Sequence, residues 1–243
     1  MSASAFIARI APLAVQLRVE GSPIFPSVRI AQAGLETGWK IPPWNNLGGY
    51  KVGSGKLTPY WRGAIVNKGT WEVYDGKRVD VTAAFRAYDS VEDFFRDQDL
   101  LFANTRYARV RTARTPEEQA DMLQACGYAT DPAYSSKLVG IIKTYGLKRY
   151  DEEAKSHMQM IEELQKRVTE LEKQTERVPA PAWFVQQFGS GDLGGLISDP
   201  HFTVEGWRAL AVALRAQKAQ KGRAPAWPCG WAGIYFAVRM SVI

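Results

Sequence analysis

Residues 70–86 alternate in the manner of β-strands about Asp75-Gly76, a pair that favours the tight turn of a β-hairpin. The stretches on either side repeat instead at helical spacing. Phe6, Ile7, Ile10, Leu13 and Leu17 mark a first amphipathic helix. Pro26-Ser27 opens a second, which runs through Ile30, Ala31, Ala33 and Leu35 to a stop at Gly38. Residues 41–62, rich in Gly, Pro, Asn and aromatics, read as an ordered loop. Ser90 with Asp93 starts a helix carrying Val91, Phe94, Phe95, Leu101 and Phe102. Thr115-Pro116 with Glu118 starts another, ending at Gly127. Asp131-Pro132 is expected to start the last, with Asp131 as its cap and Gly146 as its stop. A hairpin set between helices predicts an α+β domain over residues 1–150.

The chain then changes character. Residues 151–178 are charged and lack Gly and Pro, and predict a helical linker or a short coiled coil. Ile161, Leu164, Val168 and Leu171 fall at alternating three- and four-residue spacing, as an a/d seam does, with Arg167 and Glu172 placed to exchange ion pairs between parallel chains. A solvated linker helix and a homodimer through 158–175 are both open at this stage. Residues 179–217 carry too many apolar side chains for a free linker, Trp183, Phe184, Phe188 and Trp207 among them, and predict a small helical C-terminal unit. Residues 218–243 form a tail with no clear period.

Charge is uneven. Residues 1–150 hold 20 Lys and Arg against 14 Asp and Glu, whereas residues 151–243 hold 11 against 11. The basic part calls for an anionic partner, a nucleic acid or a bacterial wall polymer. Arg106, Arg109, Arg111 and Arg114 cluster in a turn region and not along a groove-filling helix, so no nucleic-acid partner is expected. Two Cys and two distant His leave no metal set, and no cofactor is expected. No apolar run is long enough to span a membrane and the first residues do not read as a signal peptide. The expectation is a chain made in the cytoplasm without membrane insertion.

The chemistry concentrates in Ala31-Gln-Ala-Gly-Leu-Glu-Thr-Gly-Trp39, followed by Asn45-Asn-Leu-Gly-Gly-Tyr-Lys51. Glu36 ends a helix that is otherwise small and apolar. A carboxyl in that setting is poorly solvated, keeps its proton nearer neutral pH, and suits a general acid. The same residue at a helix end is also compatible with a side chain that merely points into water.

These two runs resemble the signature of the glucosaminidase domain family, glycoside hydrolase family 73. Thr70-Trp-Glu-Val-Tyr-Asp-Gly-Lys77 with Phe85-Arg-Ala-Tyr-Asp-Ser90, and Gly127-Tyr-Ala-Thr-Asp-Pro-Ala-Tyr134 with Lys137-Leu138, are similar to two later motifs of the same family. Four motifs in order span about residues 3–149. The resemblance implies a lysozyme-like fold, a helical body with a hairpin lobe, and a cleft for bacterial peptidoglycan. It implies hydrolysis of the β-1,4 bond after N-acetylglucosamine, with a muramidase or a non-catalytic wall-binding protein as alternatives. Carried over by position, Glu36 is the general acid, Glu72 the second carboxylate, and Tyr128 a residue against the reacting sugar. Trp39, Asn46, Tyr50, Trp71, Tyr74 and Tyr134 are the expected substrate contacts. Trp39, Trp44, Tyr50, Tyr60, Trp61 and Trp71 make an aromatic cluster, part of it core, on which sugar faces would stack.

The sequence departs from the family pattern at Lys40, where the family has Gly, and at Gly48 and Tyr50, where it has Phe and Ile. The stretch from Val52 to Lys68 is longer than usual. These changes bear on the shape of the glycan subsites and leave the acid in place. A wall-cutting domain without a leader leads to the expectation of a phage or prophage lysis enzyme released by a holin.

Overall fold

A computed structural model of the chain describes residues 1–74 and 77–221, with the side chains of all of these except 70–81, 220 and 221. The chain divides into two compact units, Met1–Glu163 and Leu164–Ile243.

The first unit begins with α1, Ala3–Val19, whose Ser2 side chain accepts the Ala5 N–H at 3.2 Å. Helix α2, Pro26–Thr37, starts on a proline that has no N–H to leave unsatisfied. Its first nine residues are all buried, so it is the central element of the unit and not a surface helix. Strands β1, Ile65–Tyr74, and β2, Lys77–Arg86, pair antiparallel from Ile65↔Arg86 to Tyr74↔Lys77. The first strand therefore starts five residues before the alternation predicts. The Asp75-Gly76 turn lies outside the described residues.

Helix α3, Val91–Phe102, is capped by the Ser90 hydroxyl on the Asp93 N–H at 3.0 Å. One 3₁₀ turn, Thr105–Tyr107, and the short α4, Ala108–Arg111, follow in the region read as turns. Helix α5, Pro116–Ala125, is capped by Thr115 on the Glu118 N–H at 3.1 Å, and Gly127 turns the chain with φ 71°. Helix α6, Tyr134–Thr144, starts two residues later than expected. Asp131 is not its cap. The Asp131 carboxylate accepts the Ala133 N–H at 2.9 Å and its carbonyl accepts the Tyr134 N–H at 3.1 Å, which makes a turn ahead of the helix.

Helix α7, Lys148–Thr175, has residues in both units. Its first turns belong to the first core, since Ala154 is buried and Asp151 accepts the Ser27 N–H at 2.8 Å. Ile161, Leu164, Val168 and Leu171 are each more than 40% exposed, so the apolar seam has no cover within the described chain. In the second unit β3, Val178–Pro179, pairs with β4, His201–Phe202, while α8, Ala182–Phe188, and α9, Val204–Lys221, supply its core. Phe184 stacks on Trp207 at 4.6 Å, and the Trp207 indole N–H donates to the Val178 carbonyl at 2.9 Å. The two-residue strands were not expected. Helix α9 also takes in the start of the tail, and residues 222–243 lie outside the described ones.

Candidate active site

Glu36 is the next-to-last residue of α2. Gly38 ends the helix in the left-handed region at φ 59°, its N–H bonded to the Gly34 carbonyl. The Trp39 ring then folds back over Gly34 so closely that a Cβ on residue 34 would lie 2.4 Å from Trp39 Cζ3. Only glycine fits there. Trp39 packs edge-on against Phe6 at 5.7 Å and against Tyr145 at 4.8 Å. It braces the end of α2 and is not among the residues that line the cavities at Glu36.

The Glu36 side chain opens into a cavity of about 890 Å³. One wall carries Tyr128 and Tyr134, another Gly48, Gly49 and Tyr50, and the far side Thr58, Arg86 and Asp97. Glu36 keeps an exposed side toward the cavity. The protein packed around the rest of the carboxyl withdraws water and raises its pKa above the ordinary glutamate range. A hydrogen bond opposes that rise in part: the Tyr134 hydroxyl donates to Glu36 Oε1 at 3.3 Å. Gln32 Nε2 in turn donates to Tyr134 Oη at 3.1 Å, which leaves the Tyr134 proton free to point at Glu36. Gln32 and Glu36 stand one helical turn apart on α2, so the helix carries both the carboxyl and the group that orients its partner.

Tyr128 follows Gly127, whose turn is fastened by the Arg106 guanidinium on the Cys126 and Gly127 carbonyls at 2.6 and 2.9 Å. Its hydroxyl accepts from Gln98 Nε2 at 3.3 Å, and burial beside the Glu36 carboxylate pushes the phenol up to about 12. Gln98 is held by the buried Arg29, whose Nη1 donates to Gln98 Oε1 at 3.1 Å. Tyr50 lies in the same wall. Its hydroxyl is buried, approaches Tyr128 without reaching a hydrogen-bond partner, and has its pKa raised by that burial.

Asn46 is buried and faces the backbone. Its Nδ2 donates to the Tyr50 and Arg86 carbonyls, both at 2.9 Å, and its Oδ1 accepts the Tyr50 N–H at 2.9 Å. It shapes the site by tying the loop to the end of β2, and those bonds occupy the amide that would otherwise reach a sugar. Trp61 is core, buried with Arg86 4.4 Å over its ring, and Tyr60 lines a different cavity. The backbone of Glu72 lies in β1 opposite Val79. The side chains of Glu72, Trp71 and Tyr74 lie outside the described residues.

Asp97 was missed by the sequence reading. It is buried on α3, where it accepts from Thr58 Oγ1 at 2.7 Å, Arg86 Nη1 at 2.8 Å and Tyr88 Oη at 2.7 Å. One carboxylate thus pins the loop and the hairpin base to the helical body along the far wall. A signal was present: Phe94 and Phe95 mark the buried face of the helix, and Asp97 and Gln98 recur on it one turn later. A polar group on such a face needs partners. Among the described residues no three His, Cys, Asp or Glu side chains stand together as metal ligands would.

The glucosaminidase family, described as mannosyl-glycoprotein endo-beta-N-acetylglucosaminidase, matches residues 13–147. The chain belongs to this family. Membership places it among glycoside hydrolases. The peptidoglycan hydrolase FlgJ of Salmonella typhimurium is 39% identical over 142 residues, which cover 57% of this chain and 45% of that protein. The exo-glucosaminidase LytG of Bacillus subtilis is 35% identical over 147 residues, 56% of this chain and 50% of that one. The chain thus spans about half the length of these curated relatives. A crystal structure of a peptidoglycan hydrolase mutant from Sphingomonas sp. A1 superposes with a TM-score of 0.51 at 35% identity, covering 60% of this chain and 96% of the other. The α+β, lysozyme-like fold expected from the sequence is the fold of this glucosaminidase domain.

The family departures acquire physical reasons. A Cβ on residue 48 would meet Phe94 Cζ at 2.9 Å and the Tyr50 ring at 3.3 Å, so the space a larger side chain would need is already filled. Tyr50 stands edge-on to Phe94 at 5.4 Å and completes that wall. Lys40 lines a second cavity of about 430 Å³ that shares Glu36 and Gly49 with the first.

Proposed function

We propose that this glucosaminidase domain hydrolyses the glycan of bacterial peptidoglycan, cutting the β-1,4 bond after N-acetylglucosamine with Glu36 as the general acid. The observation that carries this is the Glu36 carboxyl at the mouth of an 890 Å³ cleft, its pKa raised by desolvation and one oxygen bonded by the Tyr134 hydroxyl. A departing sugar oxygen needs a proton at the moment the bond breaks, and a carboxyl held above its usual pKa supplies one near neutral pH. Tyr128 borders the same space as a neutral phenol, placed to contact the reacting sugar. Glu72 is proposed as the second carboxylate on the position of its motif alone. The relatives' printed names, peptidoglycan hydrolase and exo-glucosaminidase, support the substrate and the bond. Mass spectrometry of fragments from purified walls tests the bond: new reducing ends on N-acetylglucosamine are expected, and new ends on N-acetylmuramic acid would make the domain a muramidase.

The tyrosine makes a pH prediction. An acid catalyst works while protonated, so activity falls as pH rises through the Glu36 pKa. The Tyr134 hydroxyl stabilises the ionised form and thereby lowers that pKa. In Tyr134→Phe the alkaline limb of the kcat/KM profile is expected to move to higher pH. A limb that stays in place would remove Tyr134 from the tuning of the acid.

The setting we propose is lysis by a phage or prophage, with release through a holin. Its support is a family domain whose relatives are named as peptidoglycan hydrolases. Lysis on expression with a holin and none without it is the expected result. We also propose that the seam on α7 pairs two copies in parallel. Sedimentation should show a dimer that Leu164→Glu dissociates, and a wild-type monomer at high micromolar concentration would overturn it.

A further inference from the structure

The cavity that carries Lys40 has a composition of its own. It opens at Glu36 and Gly49, so it begins where the proposed scissile bond would lie. Lys40, just beyond α2, and Lys68, on β1, both line it, with Trp44 between the loop and the strand. Both lysine side chains are exposed. Lys68 Nζ stands 4.2 Å over the Trp44 ring, a contact that fixes the ammonium group without neutralising it. Neither lysine has a carboxylate partner among the described residues, although Arg62, Arg86, Arg96 and Lys137 in the same domain each have one. Lys40 also stands where the resembling family pattern has glycine, so this charge is a feature of this chain.

The substrate class in the proposed function supplies a matching group. Its two sugars alternate, and only the muramic residue bears a carboxylate, on its lactyl ether or on the peptide that extends from it. The glucosamine residue is uncharged. Because of the alternation, every β-1,4 bond has a muramic residue on one side. A strand placed with a bond at Glu36 therefore has one such anionic branch next to the catalytic carboxyl.

We infer that Lys40 and Lys68, beside Trp44, form a subsite for a carboxylate of the muramic residue adjoining the scissile bond. This rests on the peptidoglycan reading above. The subsite selects for charged strands and sets the register in which the acid meets the bond. Exposed lysine–carboxylate pairs are individually weak, and two acting together are expected to favour a charged strand by about tenfold in kcat/KM at low salt. The preference should shrink as salt rises, since both ammonium groups face solvent.

The test uses the full chain and purified peptidoglycan freed of phosphate-bearing wall polymers, in three forms. One is intact. One has its carboxylates capped as neutral amides with a carbodiimide and methylamine. One has its peptides removed by an amidase, which leaves the lactyl carboxylate alone. The wild type is expected to cut the intact form about tenfold faster than the capped form. In the double variant Lys40→Gly, Lys68→Gln that ratio is expected to fall close to one. A stripped form cut like the intact one shows that the lactyl carboxylate freed by the amidase serves the subsite as well as a peptide carboxylate does; one cut like the capped form assigns the carboxylate to the peptide. A wild-type ratio near one, or a ratio unchanged in the double variant, overturns the subsite. Failure of the wild type to cut any of the three forms would instead defeat the hydrolase reading itself.

Discussion

Glu36→Gln is expected to lower the rate of wall solubilisation by about 10²-fold or more, the range usual for loss of a general acid. The amide keeps the size of the side chain and can still accept the Tyr134 hydroxyl bond that Glu36 Oε1 accepts at 3.3 Å. What it lacks is the proton for the leaving oxygen. Folding should be untouched, because the replaced group faces the cavity on its open side. The measurement is turbidity loss on purified walls beside a thermal melt. Full activity in a folded Glu36→Gln protein would refute the assignment, and intact glycan with freed peptides in the wild-type digest would refute the glycosidase reading. Glu72→Gln should also slow the reaction, by less than the acid variant does.

Asp97→Ala is expected to have the largest effect on stability. It removes one carboxylate and leaves three donors without it: Thr58, Tyr88 and the Arg86 guanidinium. The Arg86 side chain is only 17% exposed and that of Asp97 2%, so the ion pair is largely out of water. Breaking a buried pair by deleting one partner typically costs about 3–5 kcal/mol, because the surviving charge stays buried. For a domain of this size that corresponds to roughly a 10 °C drop in melting temperature. Asp97→Asn should recover part of it, since the amide oxygen still accepts a hydrogen bond. Calorimetry of the full chain checks both variants, and an unchanged unfolding transition in Asp97→Ala would show that the far wall of the cleft is held by other contacts.

Much of the architecture was legible because local chemistry and tertiary structure agree. Ser90 and Thr115 cap the helices their spacing announces, and Gly38, Gly127 and Gly146 end elements with positive φ. The start of α6 was misplaced because an Asp-Pro pair serves a helix cap and a preceding turn equally well, and only the bond from the Ala133 N–H separates them. The two-residue β3 and β4 are too short to show a period. At the site, Glu36 was legible through its motif, while its supports were not. Gln32, Arg29, Asp97 and Gln98 are polar residues inside helices, and what each one holds lies outside its own helix, up to 102 residues away along the chain. Spacing along one helix carries no record of such partners. The packing of Trp39 was hidden for the converse reason: a tryptophan beside such a motif suggests a sugar platform, whereas its ring lies over Gly34, four residues before Gly38, whose missing side chain receives it.

The pairing of Tyr134 with Gln32 and Glu36 also has a meaning in time. These groups are separated by about a hundred positions, and a ribosome delivers them in order. While the chain is being made, the acid emerges long before the residues that close the space around it. Helix α2 packs on α1, which is made before it, and on α5 and α6, which follow. A nascent chain ending before residue 134 therefore lacks the tyrosine hydroxyl that Glu36 accepts in the complete domain. The surroundings of the proposed acid are therefore complete only when the last helices of the first unit arrive.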